Sequence, residues 1–169
     1  MTNASGGNYN YNAGTMEIDD FHVSQGGAFY NCGTMRVDEM NFDSGCKFIN
    51  QGKAYIGKTD SNITIDNGCY LYAEEFVGTL NMGDTSSAEI EDFGDHSNNY
   101  NTRITMGDNS MITVLDEAEL SQAQFMGPNN EYALVKINKI EDIGNFSSQG
   151  NIHYEVKEID DDITEDIWW

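Results

Sequence analysis

The sequence predicts an all-β fold, a single-stranded, right-handed parallel β-helix (a solenoid) of about 6–7 coils. Three observations predict it. The stretch from Asn12 to Tyr30 is echoed at once by the stretch from Asn31 to Ile49. Isoleucine and valine, at 15 and 6 residues, far outnumber the 5 leucines, which favours strands over helices. The 19 asparagines and 17 glycines supply the residues that tight turns require.

The echo defines a coil of 19 residues. Its matched pairs are Asn12/Asn31, Gly14/Gly33, Thr15/Thr34, Met16/Met35, Asp19/Asp38, Gly26/Gly45 and Phe29/Phe48, with Ile18/Val37 as a near match. In a solenoid such pairs lie one above the other, at the strand spacing of about 4.8 Å. We therefore expect the Ile18/Val37 and Phe29/Phe48 pairs to extend core columns. We expect Asn12, Asn31 and Asn50 to stack at a corner, where their amides can bond along the stack.

A third coil opens at Asn50-Gln51-Gly52. Near the end of this coil, Gly68-Cys69 aligns with Gly45-Cys46 of the coil before it. The alignment requires four extra residues in the third coil, around Lys58 to Asn62. The sequence therefore predicts a loop insertion in this coil and a column of small buried thiols, Cys46 and Cys69. Three cysteines cannot form a closed set of internal disulfides, and none has the spacing of a zinc site.

Beyond the third coil the echo weakens to short alternating runs between turn residues, a pattern typical of strands. These runs are 78–84, 88–95, 103–116, 118–128, 132–140 and 150–159. Helical repeats are excluded because no apolar stripe recurs at i, i+3 and i+4, and propeller blades need about 40 residues per repeat.

The expected organisation has three parts. Residues 1–11 form a flexible N-terminal segment or cap, residues 12–159 the β-helix, and residues 160–169 an acidic C-terminal tail or cap. Trp168 and Trp169 either dock on the last coil or belong to a further module.

The net charge of −21, from 8 Lys and Arg against 29 Asp and Glu, argues against nucleic acid and anionic membrane surfaces as partners, because both need cationic contacts. No stretch approaches the roughly 18 apolar residues that cross a bilayer, so no membrane insertion is expected. Cations, basic proteins and neutral glycans are compatible with this charge. The sequence leaves the oligomeric state open.

The Asn-x-Gly-Thr-Met coils, the run Gly-Asp-Asn-Ser-Met-Ile-Thr-Val at 107–114 and the segment from Met126 to Lys136 resemble the β-helical stretch of LruC-domain surface proteins. Those are repetitive, secreted or lipid-anchored envelope proteins of Gram-negative bacteria. The resemblance covers residues 12 to 157 and implies an extracellular adhesive or matrix-interacting module without known catalytic residues. No signal sequence or lipid-attachment cysteine is recognised in the chain.

Asp19, Asp20, Asp38 and Glu39 form the sharpest cluster of candidate site residues. In the solenoid Asp19 lies beside Asp38, and like charges on adjacent strands are destabilising unless a cation or hydrogen bonds offset them. Calcium is the candidate cofactor because it takes carboxylate oxygens. The alternative is a solvated acidic face without any cofactor, since alternate strand positions point outward and no calcium-loop motif occurs.

Two carboxylates at the strand spacing would also suit a retaining glycosidase. A polysaccharide lyase would need basic residues around an anionic sugar, and the chain has only Arg36 and Arg103 as arginines. The histidines His22, His96 and His153 share no motif with a serine or cysteine, so no nucleophile–base pair is predicted. We therefore expect no catalytic residue and no enzyme.

Tyrosine offers an apolar face and a polar tip, which suits stacking against sugar rings. The candidates are Tyr9, Tyr11, Tyr30, Tyr55, Tyr70, Tyr72 and Tyr100. Tyr70 and Tyr72 are not expected to face outward together. The expected function is a non-enzymatic, extracellular β-helix, a structural spacer or an adhesion module that binds a glycan or a host protein. The alternatives are a carbohydrate-active β-helix and a fragment of a trimeric phage spike.

Overall fold

The computed structural model describes residues 9–24, 26–43, 45–94 and 101–160. Within these ranges all regular structure is β-strand, and none of it is a helix that could cross a membrane. The strands are β1 (Tyr9–Asn12), β2 (Thr15–Val23), β3 (Ala28–Asn31), β4 (Thr34–Phe42), β5 (Lys47–Asn50), β6 (Lys53–Thr59), β7 (Asn62–Ile65), β8 (Tyr70–Phe76), β9 (Thr79–Met82), β10 (Ser87–Phe93), β11 (Arg103–Thr105), β12 (Met111–Glu119), β13 (Gln124–Met126), β14 (Ala133–Asp142), β15 (Ser147–Gln149) and β16 (Ile152–Ile159).

The strands alternate between two eight-stranded sheets, and every pairing is parallel. The odd-numbered strands, which are short, form one sheet, and the longer even-numbered strands form the other. The chain is therefore a β-solenoid of about seven turns, and the predicted fold class is confirmed. Each turn contributes one strand to each sheet, a division that the sequence pattern did not reveal.

The core lies between the two sheets and is built from columns of like residues. The register pairs Ile18 with Val37 and Phe29 with Phe48, as predicted, and the two phenylalanine rings stack with centroids 6.3 Å apart. A second aromatic column runs through Phe76, Phe93 and Phe125, with centroids 6.3 and 5.7 Å apart. Aliphatic side chains such as Ile56, Ile63 and Leu71 fill the coils between the two aromatic columns, so the buried residues form one core cluster along the solenoid.

The predicted asparagine stack is present at the corner that precedes the long strands. The side-chain amide of Asn12 donates to Oδ1 of Asn31 (2.9 Å), and that of Asn31 donates to Oδ1 of Asn50 (2.8 Å). All three side chains are buried. Each amide also donates to a backbone carbonyl of the next coil, that of Thr34, Lys53 or Tyr70. The stack thus satisfies buried polar groups and joins successive coils.

The predicted insertion in the third coil is wrong. Lys58 lies inside β6 and Asn62 opens β7, so only two residues separate these strands. The register pairs Lys53 with Tyr70. Cys69 therefore precedes a long strand, whereas Cys46 precedes the short strand β5, and the predicted thiol column does not form. The Gly-Cys dipeptide recurs at opposite corners of the solenoid, which made the two sites look equivalent.

A second ladder replaces the asparagine stack at the same corner of the later coils. Oδ1 of Asn67 accepts the backbone N–H of Asp84 (2.9 Å), and Oδ1 of Asp84 accepts that of Asp108 (2.9 Å). Oδ1 of Asp108 then accepts the N–H of Glu131 (3.2 Å). This change of corner explains why the 19-residue echo fades. The repeated Gly-Asp-x-Ser signature at 83–86 and 107–110 was available in the sequence but was not recognised as a repeat.

Several predicted boundaries shift. The runs 103–116 and 118–128 each reach into two strands, and β15, with the polar sequence Ser-Ser-Gln, was not predicted. The first strand begins at Tyr9, ahead of the expected start of the β-helix at residue 12. Residues 1–8 and 161–169, which include Trp168 and Trp169, lie outside the described residues.

Candidate binding surface

Three tyrosines line the outer face of the long-strand sheet. Tyr70 and Tyr72 lie on either side of Leu71, which is fully buried in the core. Both therefore point outward, and the prediction that they could not do so together is wrong, because residues two apart on a strand share one face. Tyr55 lies in the adjacent strand β6, where it pairs in register with Tyr72. We call Tyr55, Tyr70 and Tyr72 the tyrosine strip.

The rings of the tyrosine strip contact one another. The centroid of Tyr55 lies 5.9 Å from that of Tyr70 and 6.3 Å from that of Tyr72. The guanidinium carbon of Arg36 lies 4.3 Å from the centroid of Tyr55, a cation–π contact. The rings are thus held by neighbours from three successive long strands.

Carboxylates of the next coil hold two of the hydroxyls. Tyr70 donates to Oε2 of Glu89 (3.0 Å), and Tyr72 donates to Oε1 of Glu91 through a short hydrogen bond. Burial, followed by the bond to Glu89, raises the pKa of Tyr70 to about 12. The bond to Glu91, followed by burial, raises the pKa of Tyr72 to about 12. Both hydroxyls therefore stay protonated and oriented near neutral pH.

A groove of about 340 Å³ runs beside the tyrosine strip, across β2, β4, β6 and β8. We call it the acidic groove, lined by Glu17, Ile18, Asp19, Arg36, Val37, Asp38, Tyr55, Ile56, Gly57, Tyr72 and Glu74. It contains four carboxylates and a single cation. Two lysines of the same sheet lie between acidic neighbours: Lys58 pairs in register with Glu39 and Glu75, and Lys139 with Glu117 and Glu158.

Gly57 lines the acidic groove without adding a side chain to it, and we call this position the notch. The flanking pairs of the register place it level with Asp38 on one side and Glu74 on the other. A Cβ atom at Gly57 would lie 2.4 Å from the backbone oxygen of Asp38, so no side chain fits there without a backbone shift. The notch therefore stays free of a side chain, and Asp38, Glu74, Tyr55 and Tyr72 line the same groove around it.

The structure brings together only part of the predicted acidic cluster in this groove. Asp19 and Asp38 both line it, as their predicted adjacency requires. Asp20 and Glu39 pair with each other one position further along their strands, and Glu39 accepts a hydrogen bond from Asn41 (2.8 Å). Within the described ranges, no group of three or more His, Cys, Asp or Glu side chains is arranged to hold a metal ion.

The remaining candidates lie apart from the acidic groove. His22 pairs with Asn41, as predicted, and its Nε2 lies 3.3 Å from Oδ1 of Asp43. His153 is exposed, with its Nε2 4.0 Å from Oε1 of Glu155. Tyr11 pairs with Tyr30 on the short-strand sheet. His96 and Tyr100 lie outside the described residues, and of Tyr9 only the backbone is described.

Comparison with known proteins does not assign this surface. No protein-family model, no curated protein and no solved structure matches the chain. The function must therefore be inferred from the chemistry of the surface.

Proposed function

We propose that this chain is a non-enzymatic module of a bacterial cell surface, a spacer or adhesion module that binds a glycan or a host protein along the tyrosine strip. The observation that carries this proposal is the fixed arrangement of three outward tyrosine rings beside a groove. Tyrosines whose rings are already ordered lose little entropy when a ligand stacks on them. The resemblance to LruC-domain surface proteins supports the extracellular location and the absence of catalysis.

The parallel ladders support the role of a spacer. Each coil stacks on the next through backbone hydrogen bonds in both sheets, and the core columns continue across the coils. Such a rod holds its side chains at the strand spacing of about 4.8 Å. A ligand that contacts several coils would thus meet a regular and rigid surface.

The experiment measures retention of the whole chain on immobilised neutral, acidic and host-type polysaccharides and on host matrix proteins. We expect retention without release of new sugar ends. Replacing Tyr55 and Tyr72 with Ala should lower retention, whereas Tyr11→Ala, at a tyrosine that is 71% exposed on the other sheet, should not. Absence of retention on every surface would overturn the adhesive role.

The second candidate is a carbohydrate-active β-helix, favoured by one observation: Asp19 and Asp38 line the same groove. Carboxyl groups on adjacent strands can approach the separation of about 5–5.5 Å that retaining glycosidases use. The same experiment separates the two candidates. New sugar ends that disappear with Asp19→Asn or Asp38→Asn would make the chain an enzyme.

A further inference from the structure

The acidic groove carries an unbalanced charge. Glu17, Asp19, Asp38 and Glu74 face it together with one cation, Arg36. In the part of the chain that the structure describes, the side chains of Asp19, Asp38 and Glu74 take part in no hydrogen bond or ion pair. A cationic ligand could therefore pair with these carboxylates without first breaking a hydrogen bond or an ion pair within the protein.

We propose that the acidic groove binds an arginine or lysine side chain of a basic protein segment, seated in the notch over Gly57 between Asp38 and Glu74. This inference rests on the proposed adhesive function and names its ligand class. The net charge of −21 attracts such a segment from a distance, and the groove provides the place where it docks.

Arg36 shows the same chemistry within the chain. Its guanidinium lies over Tyr55, 4.3 Å from the ring centroid, and its strand position pairs with Glu17. A guanidinium held over an aromatic face is thus already present on this surface, one strand away from a carboxylate-bearing position. Tyr72 presents a second ring beside the notch, next to Glu74. An incoming cationic side chain would find an aromatic ring and a carboxylate there.

The spacing of the carboxylates favours a side chain over a metal ion. Asp38 and Glu74 lie on strands that are separated by β6, so their backbones are about 10 Å apart. Calcium needs six or more oxygens at about 2.3–2.6 Å, which demands a tight cluster of ligands. A planar guanidinium on a long stem is larger, offers five donors and can contact both ends of the notch.

The test uses a fluorescent synthetic peptide in which arginine alternates with serine, so that an extended chain presents its arginines on one side. Its affinity for the whole protein is measured by anisotropy at an ionic strength of about 0.15 M, where long-range attraction is screened. The variant Asp38→Asn/Glu74→Gln should bind about tenfold more weakly, as expected for the loss of charge-assisted contacts. The matched variant Asp116→Asn/Glu131→Gln removes the same charge at exposed positions outside the groove and should bind nearly as well as the native chain.

Two further variants test the rings. Tyr55→Phe/Tyr72→Phe keeps both rings and should retain binding, whereas Tyr55→Ala/Tyr72→Ala should lose it while the circular dichroism spectrum stays that of the native chain. Equal weakening by the groove pair and the matched pair would show unspecific attraction and overturn the inference. If that result came with unchanged retention on glycans or matrix proteins, the adhesive function would stand and only the basic ligand would fail.

Discussion

At the scale of single residues, Asn31 shows how a polar side chain can belong to the core of a solenoid. It is fully buried, accepts the amide of Asn12 and donates to Asn50 and to the backbone oxygen of Lys53. Burial of an amide is tolerated only when its hydrogen bonds are made. Here successive coils supply them, because the same residue returns at the same corner.

We expect Asn31→Ala to lower the free energy of unfolding by about 2–4 kcal/mol, because it removes three hydrogen bonds at a buried site. Chemical denaturation followed by circular dichroism measures the change. The control is Asn41→Ala, at a half-exposed asparagine whose side chain donates to the exposed side chain of Glu39, and it should cost less than about 0.5 kcal/mol. Equal effects of the two variants would contradict a structural role for the stack.

The tyrosine strip predicts a loss of stability at high pH. The pKa of Tyr70 and of Tyr72 is raised to about 12, whereas tyrosine in an unfolded chain titrates near 10. Between these values the unfolded chain binds fewer protons than the folded chain, so the free energy of unfolding falls as pH rises from about 10 to about 12. Urea unfolding across this range measures the fall, and Tyr70→Phe/Tyr72→Phe should reduce it. Tyr11→Phe serves as the control, and an equal reduction by both variants would refute the assignment.

At the scale of elements, the solenoid uses two types of corner before its long strands. The asparagine corner joins β1 to β2 and β3 to β4 through two residues, whereas the Gly-Asp-x-Ser corner joins β9 to β10 through four. In the second type the residue after the aspartate has a positive φ, +57° at both Thr85 and Asn109. Asparagine tolerates that conformation, but a β-branched threonine is strained in it.

We therefore expect Thr85→Asn to raise the free energy of unfolding by about 0.5–1 kcal/mol, since strain of this kind costs roughly 1–3 kcal/mol and the lost threonine hydroxyl contact is exposed. The reciprocal variant Asn109→Thr should lower it by a similar amount. Denaturant midpoints of the two variants, measured side by side, provide the check. A shift of both variants in the same direction would show that strain at this position does not control the corner.

At the scale of the whole molecule, the folded state must tolerate the electrostatic repulsion of a net charge of −21. The strand register reduces the repulsion between carboxylates by placing some lysines among them. Lys139, for example, donates hydrogen bonds to Glu117 (3.2 Å) and Glu141 (2.7 Å). Those carboxylates also raise the pKa of Lys139. The remaining negative charges repel one another in the compact state more than in the unfolded chain.

The melting temperature should accordingly rise when NaCl is increased from about 0.01 M to about 0.15 M, because the screening length shortens from about 30 to about 8 Å. Scanning calorimetry measures the rise, and KCl should act like NaCl. CaCl₂ compared with MgCl₂ at equal ionic strength distinguishes the two alternatives for Asp19, Asp20, Asp38 and Glu39, a calcium site or a solvated acidic face. A surplus stabilisation by calcium that Asp38→Asn removes would indicate that site.

The sequence by itself determined the solenoid and the register of its first coils. Identical residues at equal intervals can bury their side chains only by stacking, so the columns through Asn31, Val37 and Phe48 followed from the repeat alone. Where the interval changed, the prediction failed. Gly-Cys at 45–46 and at 68–69 looks like one motif, and only the strand pairing shows that these dipeptides lie before different sheets.

Of the candidate surface, the sequence predicted the adjacency of Asp19 and Asp38, because both belong to the regular repeat. It did not predict that Arg36, Gly57 and Tyr72 would meet, because they come from three coils and the 19-residue interval ends after the coil of Arg36. Only the tertiary structure decided which face each side chain takes and which side chains share a groove. The physical reason is that a strand's pleat and its register are set by pairing with the neighbouring coils, and that pairing depends on corners that one-dimensional similarity does not distinguish.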